Sequence, residues 1–212
     1  MTRTLTVSVA FSAAMLVNPL VSLADVVYDN GLLPFGNFAT GSDAALNDSV
    51  AESFMFSEHT LVNEIEFLGL YSNGAIDDRF AVVFYNNASG LPGALLGAPN
   101  ILSSHRTAGG FDVGSLQGFR YELQLSGSLF EAGQKYWVSV TNDSSMTPEE
   151  DHWSWASTSA GPGDGSAIMD RDPTWRARGF DYAFRLHGLT VPEPTASLLL
   201  VAGAGFGLAV RR

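Results

Sequence analysis

The 212-residue chain contains no cysteine, which excludes a disulfide framework, a thiolate zinc site and a cysteine nucleophile together. Basic residues are scarce as well. Eleven Lys and Arg stand against 22 Asp and Glu, a formal charge of -11, and a surface of that sign repels the phosphates of nucleic acid. Charged residues of both signs make up only 16% of the chain, which is low for a soluble protein. Catalytic signatures are missing too: there is no H-E-x-x-H and no G-x-S-x-G, and His59, His105, His152 and His187 include no i, i+4 pair. No internal repeat occurs, and no window of about a dozen residues in the middle of the chain keeps a helical stripe.

What is present begins with 14 Phe, 6 Tyr and 4 Trp, enough aromatic side chains to exclude a disordered chain. The deficit of charge has a cause at each end. Arg3 is followed by a mostly apolar stretch from Leu5 to Val17, and small residues stand at Ser22 and Ala24. That order describes a secretory signal peptide over residues 1–24, cleaved between Ala24 and Asp25 and handled by the Sec export machinery and signal peptidase. Export makes the missing cysteine informative, because the domain enters an oxidising compartment without disulfides.

At the other end Val191-Pro192-Glu193-Pro194 precedes an uncharged run from Thr195 to Val210, then Arg211 and Arg212. The prolines hold their segment extended. The apolar run is about 24 Å long as a single helix, slightly short of a bilayer core, and snorkelling arginines can make up the difference. The positive-inside rule keeps Arg211 and Arg212 cytoplasmic and the large domain outside. Gly203, Gly205 and Gly207 lack the βαβ setting of a dinucleotide loop.

This tripartite tail resembles the PEP-CTERM sorting signal of Gram-negative bacteria, whose bearers are substrates of exosortases. The resemblance covers about the last 22 residues. It implies recognition at Pro192, Glu193 and Pro194, stop transfer at Arg211 and Arg212, transient inner-membrane insertion, and release to the cell surface or extracellular matrix.

Between the two ends the period is two. Phe119-Arg-Tyr121-Glu-Leu123-Gln-Leu125 alternates throughout, and Lys135–Thr141 and Tyr182–Gly188 do so nearly as well. Further strands are expected at Ala51–Phe56, Leu61–Leu70, Phe80–Tyr85, Ile101–His105, His152–Ala156 and Ala167–Asp170. Turns are expected at Ser72–Gly74, Ser89–Gly93, Ala108–Gly110 and Gly161–Gly165. The fold class is therefore all-β, an antiparallel sandwich with a jelly-roll-like look, over residues 25–189, with the sorting and anchor segment at 190–212. The placement of Tyr28-Asp29-Asn30-Gly31, Phe80–Tyr85, Gly90-Leu-Pro-Gly93 and Tyr136-Trp137 resembles the lectin-like β-sandwich modules that often precede such tails. It implies the same fold and hints at glycan binding.

Residues 25–191 carry 13 more acids than bases, which favours solubility and attracts cations. Asp143, Glu149, Glu150 and Asp151 offer hard oxygens for Ca²⁺ across one loop, without EF-hand spacing, and a solvated loop explains them as well. No other cofactor is indicated. Trp153 and Trp155, two apart, face the same way on a strand, either into the core or outward. Trp175 stands in a loop-like stretch, where its face could stack on a sugar while Arg176 and Arg178 bond hydroxyls. The composite expectation is an exported, exosortase-processed, non-enzymatic surface or matrix protein that binds polysaccharide. The second reading is a secreted hydrolase acting on matrix polysaccharide, motivated by the abundance of carboxylates.

Overall fold

The computed structural model describes residues 24–71, 78–146, 151–162 and 165–192. The expected signal peptide up to residue 23, the turn at Ser72–Gly74, Glu149, Glu150, and everything from Glu193 to Arg212 lie outside these. Among the described residues no helix is long and apolar enough to cross a membrane.

The described residues form fourteen strands: β1 (Asp25–Asp29), β2 (Pro34–Gly41), β3 (Asp48–Met55), β4 (Thr60–Tyr71), β5 (Phe80–Ala88), β6 (Leu91–Gly97), β7 (Ile101–Val113), β8 (Leu116–Phe130), β9 (Lys135–Asn142), β10 (Trp153–Thr158), β11 (Ser166–Asp170), β12 (Arg176–Arg178), β13 (Asp181–Tyr182) and β14 (Phe184–Thr190). A single 3-10 turn, Ala44–Leu46, separates β2 from β3. All the strand pairings are antiparallel, in an eight-stranded sheet and a six-stranded one. In the larger sheet β4 is central: β8 runs along one edge and carries β7 outside it, while β14 and β10 share the other edge. The smaller sheet has the order β12-β11-β3-β9-β5-β6. The two together make the expected β-sandwich.

The period of two builds the core between the sheets. Tyr121, Leu123 and Leu125 of β8 are buried, while Glu122 between them is half-buried and Arg120 and Gln124 are exposed. Phe54 of β3 meets Phe130 and Phe84 with ring centroids 5.2 and 6.0 Å away, both edge-to-face, the geometry that aromatic quadrupoles favour. Trp153 and Trp155 are fully buried and point into this core, where Phe67 lies edge-on to both. A second, smaller cluster covers Leu68 and Leu70 on the outer side of β4, with Val113, Ala156 and Ala183. It explains why the upper half of β4 is buried on both faces and reads as a continuous apolar run.

Two expected turns are placed differently. Leu91, Pro92 and Gly93 belong to β6, and the β5–β6 reversal is confined to Ser89 and Gly90, with φ of 54° and 86°, the left-handed pair a two-residue hairpin requires. Ala108–Gly110 sits inside β7 at a bulge opposite β8, because Gly109 and Gly118 leave room for the Phe111 ring. β1, β2 and β12 were not expected as strands.

Two of the crossovers between the sheets, β2 to β3 and β9 to β10, lie together at one end. Asp43, fully buried, joins both: Oδ1 accepts from Ala45 N, Ser144 N and Ser144 Oγ, and Oδ2 from Trp153 N at 3.0 Å. Beside it, Ser42 Oγ donates to Val140 O of the smaller sheet, and Ser42 N to Trp153 O of the larger. Asp43→Ala would strand several buried donors, each costing about 1–3 kcal/mol. A loss of about 3–5 kcal/mol in urea unfolding is expected, with Asp43→Asn intermediate because its amide nitrogen cannot accept.

Candidate functional site

The outer face of the smaller sheet carries the residues best suited to recognition. Its strands alternate, so Val50, Glu52 and Phe54 point into the core while Ala51 and Ser53 point out. The outward row across β11, β3 and β9 is built from Ala167, Ala51 and Ser139. These small side chains leave a trough. Trp175 packs over it, touching the cluster of Ala51, Ala167 and Trp137, and its ring meets Tyr85 edge-to-face at 5.7 Å. Both alanines are fully buried although they face away from the core. Trp137 belongs to the same cluster, Nε1 donating to Asn87 Oδ1 at 3.0 Å and Lys135 Nζ standing 5.6 Å from its ring centre. Trp175 and Tyr85 remain half-buried, so each presents part of its ring to solvent.

Beside this platform runs an open groove of about 370 Å³, lined by Asn47, Ser49, Thr141, Met169, Arg171 and Asp172 among others. The loop forming its rim is ordered by its own bonds. Thr174 Oγ1 donates to Asp172 Oδ1, Arg176 pairs with Asp172 at 3.1 Å, and Arg171 N donates to Asn47 O. Arg171 adopts a φ of 54°, a conformation that costs a non-glycine residue about 1–2 kcal/mol per residue.

Of the residues singled out in the sequence, Trp175 is part of this surface, packed on the sheet and not standing free in a loop. The two arginines differ: Arg176 reaches the groove rim through its bond to Asp172, whereas Arg178 borders a cavity at Asp181. Tyr85, Trp137 and the groove residues were missed. Their only sequence signal is polar or aromatic side chains at alternate positions in β5 and β9, which shows no convergence until the strands are paired.

The calcium-loop residues are split. Asp143 is half-buried, and hydrogen bonds from Ser145 hold its carboxyl below the usual range. Asp151 is buried. Among the described residues no group of three or more His, Asp or Glu side chains is placed to hold a metal ion.

Carboxylates do converge on the outer face of the larger sheet, in the cross-strand row Asp29–Arg185–Glu66–Glu122–His105. Glu66 is only 3% exposed and is flanked by Arg120, by Arg185 Nη1 at 3.8 Å and by His187 Nε2 at 3.5 Å. For Asp29, burial works to raise the pKa, but the Arg185 guanidinium at 3.0 Å and the Gly31 N–H outweigh it and hold the carboxyl low. These contacts make an ion ladder in which Glu66 is engaged by Arg120 and Arg185, with His187 Nε2 alongside.

No protein-family model and no curated protein matches the chain. Among solved structures it is similar to the cysteine protease and lectin-like domains of Cwp84, a surface layer associated protein of Clostridium difficile, at 14% identity and a TM-score of 0.45. The match covers 68% of this chain and 33% of that one, so the chain spans about a third of that neighbour's length.

At the edge of the groove Asp48 faces Asp170 across the β3–β11 ladder. Burial first, and then the Asp170 charge, push its carboxyl above the ordinary value. A carboxyl raised in the folded state binds its proton more tightly there, so its ionisation destabilises the fold as pH rises through the folded value. Asp48→Asn should therefore raise the melting temperature at pH 7, with the advantage vanishing below about pH 4, where the carboxyls of both states are protonated. Calorimetry across that range checks both the sign and the window.

Proposed function

We propose that the chain is an exported, non-catalytic surface or matrix protein, released by processing of its tail, that binds polysaccharide on the outer face of its six-stranded sheet. The observation that carries the binding half is the Trp175–Tyr85 edge-to-face pair, half-exposed beside a groove with polar walls. Sugar rings present C–H faces that stack on such aromatics, while hydroxyls bond to side chains of the Ser49, Thr141, Asn47 and Asp172 kind. The acidic excess of residues 25–191 favours neutral over anionic glycans. The second reading, a hydrolase, would have to use the row around Glu66, whose carboxylate lies against Arg120 and Arg185.

The export half rests on the signal-peptide pattern and on the Pro192–Pro194 tail with its apolar run and terminal arginines. β14 ends at Thr190, and Pro192, exposed and lacking an N–H, cannot extend the ladder. The sorting motif thus begins where hydrogen bonding stops.

Two measurements test this. On columns of amylose, dextran and cellulose, the wild-type domain should be retarded on at least one, and Tyr85→Ala and Trp175→Ala should each abolish the retardation. Trp175→Ala should also cost about 1–2 kcal/mol of stability, as the loss of a half-buried aromatic requires. Wild-type elution in the void of every neutral column and of an alginate column would remove the glycan reading. In cells, Pro192→Ala with Pro194→Ala should leave full-length protein in the membrane fraction, whereas unchanged mature size and location would remove the sorting reading.

A further inference from the structure

The two ends of the folded domain lie side by side. Asp25, the expected mature N-terminus, pairs with Gly188 of β14, and β14 runs on to Thr190, level with Thr60 and Phe130. Val191 N still donates to His59 O at 2.7 Å, so the body of the protein holds the chain as far as Val191. Both processing points therefore belong to one pole, formed by β1, the end of β14, the Phe56–His59 turn and the β8–β9 turn. The crossovers tied by Asp43 are at the other end of the same strands.

Exposed apolar side chains gather at this pole. Leu189, Leu61 and Leu129 are cross-strand partners on β14, β4 and β8, and partners in a ladder share a face. Their neighbours in the next row, Thr60 and Phe130, are buried, so this leucine row faces outward. Leu129 is 61% exposed, Val26 49%, Met55 54% and Val191 38%. A row of leucines at a sheet end has no use in water, where such patches mark contact with a protein or a membrane.

Length decides between a tether and a contact. From Val191 to Thr195, where the uncharged run begins, four residue steps span at most about 14 Å. The headgroup layer on one side of a bilayer takes up about 5–8 Å of that. Little more than the thickness of a side chain is left over.

We propose that, while its tail is inserted, the protein rests with this pole on the bilayer, with Leu189, Leu61, Leu129 and Val26 in the headgroup region. This rests on the tail's being a membrane anchor. Asp25, Glu58 and Glu131 at the same pole set the preferred lipid: a zwitterionic headgroup accommodates carboxylates that an anionic surface would repel. The pole is thereby oriented away from the crossover end and its Asp43 knot.

The absence of cysteine makes the test clean, since one introduced thiol is the only label site. Ser57→Cys places a fluorophore in the exposed turn of the pole, and Met146→Cys places one on the opposite end. The chain from Asp25 to Arg212 is reconstituted into phosphatidylcholine vesicles carrying headgroup-nitroxide lipid, and flotation is read first. With the chain floating, the label at position 57 should lose about half its emission and shift to the blue, because it lies within the thickness of the headgroup layer. The label at 146 should be unchanged. Equal emission loss at the two positions overturns the inference while leaving the anchor intact. Failure to float overturns both. If position 57 is shielded from aqueous iodide only in native inner membranes and never in pure lipid, the surface belongs to a membrane protein and the lipid assignment falls.

Discussion

A carboxylate with no solvent exposure can remain in a protein only if donors surround it, and Asp43 meets that condition by drawing on three separate stretches of chain. Its acceptors fix the 3-10 turn after β2, the Ser144 segment after β9 and the first residue of β10. Those stretches carry two of the passages of the chain from one sheet to the other. Glu52 does similar work further along, accepting from Ser53 N on its own strand and from Tyr182 N of β13 at 2.8 Å. The two sheets are thus joined by directed bonds as well as by the aromatic core. Dispersion and apolar burial are non-directional and would tolerate sliding. Hydrogen bonds to fixed backbone N–H groups do not.

With the sheets locked, the two outer faces are free to differ. The larger sheet spends its outer face on an ion ladder from Asp29 to His105 and on the small cluster around Leu68 and Leu70. Several of the charges on that face are paired with one another. The smaller sheet lines its outer face with alanine and serine and covers them with one tryptophan from a neighbouring loop. That difference, large charged side chains against small ones, is what makes an aromatic platform on one side and none on the other. Trp175 has two roles as a result: it shields Ala51 and Ala167, and it presents the rest of its ring outward.

The strand order also brings the two ends of the domain together. Because β1 pairs with β14, the beginning and end of the domain emerge side by side, and the proposed glycan surface lies on the flank of the sandwich, away from that end.

The expected strands around Phe119–Leu125, Lys135–Thr141 and Leu61–Leu70 are all present, because alternation of apolar and polar side chains is a local property that one buried face imposes directly. The all-β class and the exclusion of thiol chemistry follow from the amino-acid sequence alone for the same reason: each depends on composition or on neighbours along the chain. β6 was hidden by Pro92, which is harmless on an edge strand but reads as a turn in isolation. The burial of Trp153 and Trp155, the half-burial of Trp175, and the different surroundings of Arg176 and Arg178 could be decided only by which strands pair and which face each presents. Tyr85 and Ala51 are 34 positions apart and Ala167 is further still, and register across β11, β3, β9 and β5 brings them to one surface. Pairing register is a long-range outcome of the whole fold, so the platform, the ion ladder and the common pole of the two ends were for the tertiary structure to decide.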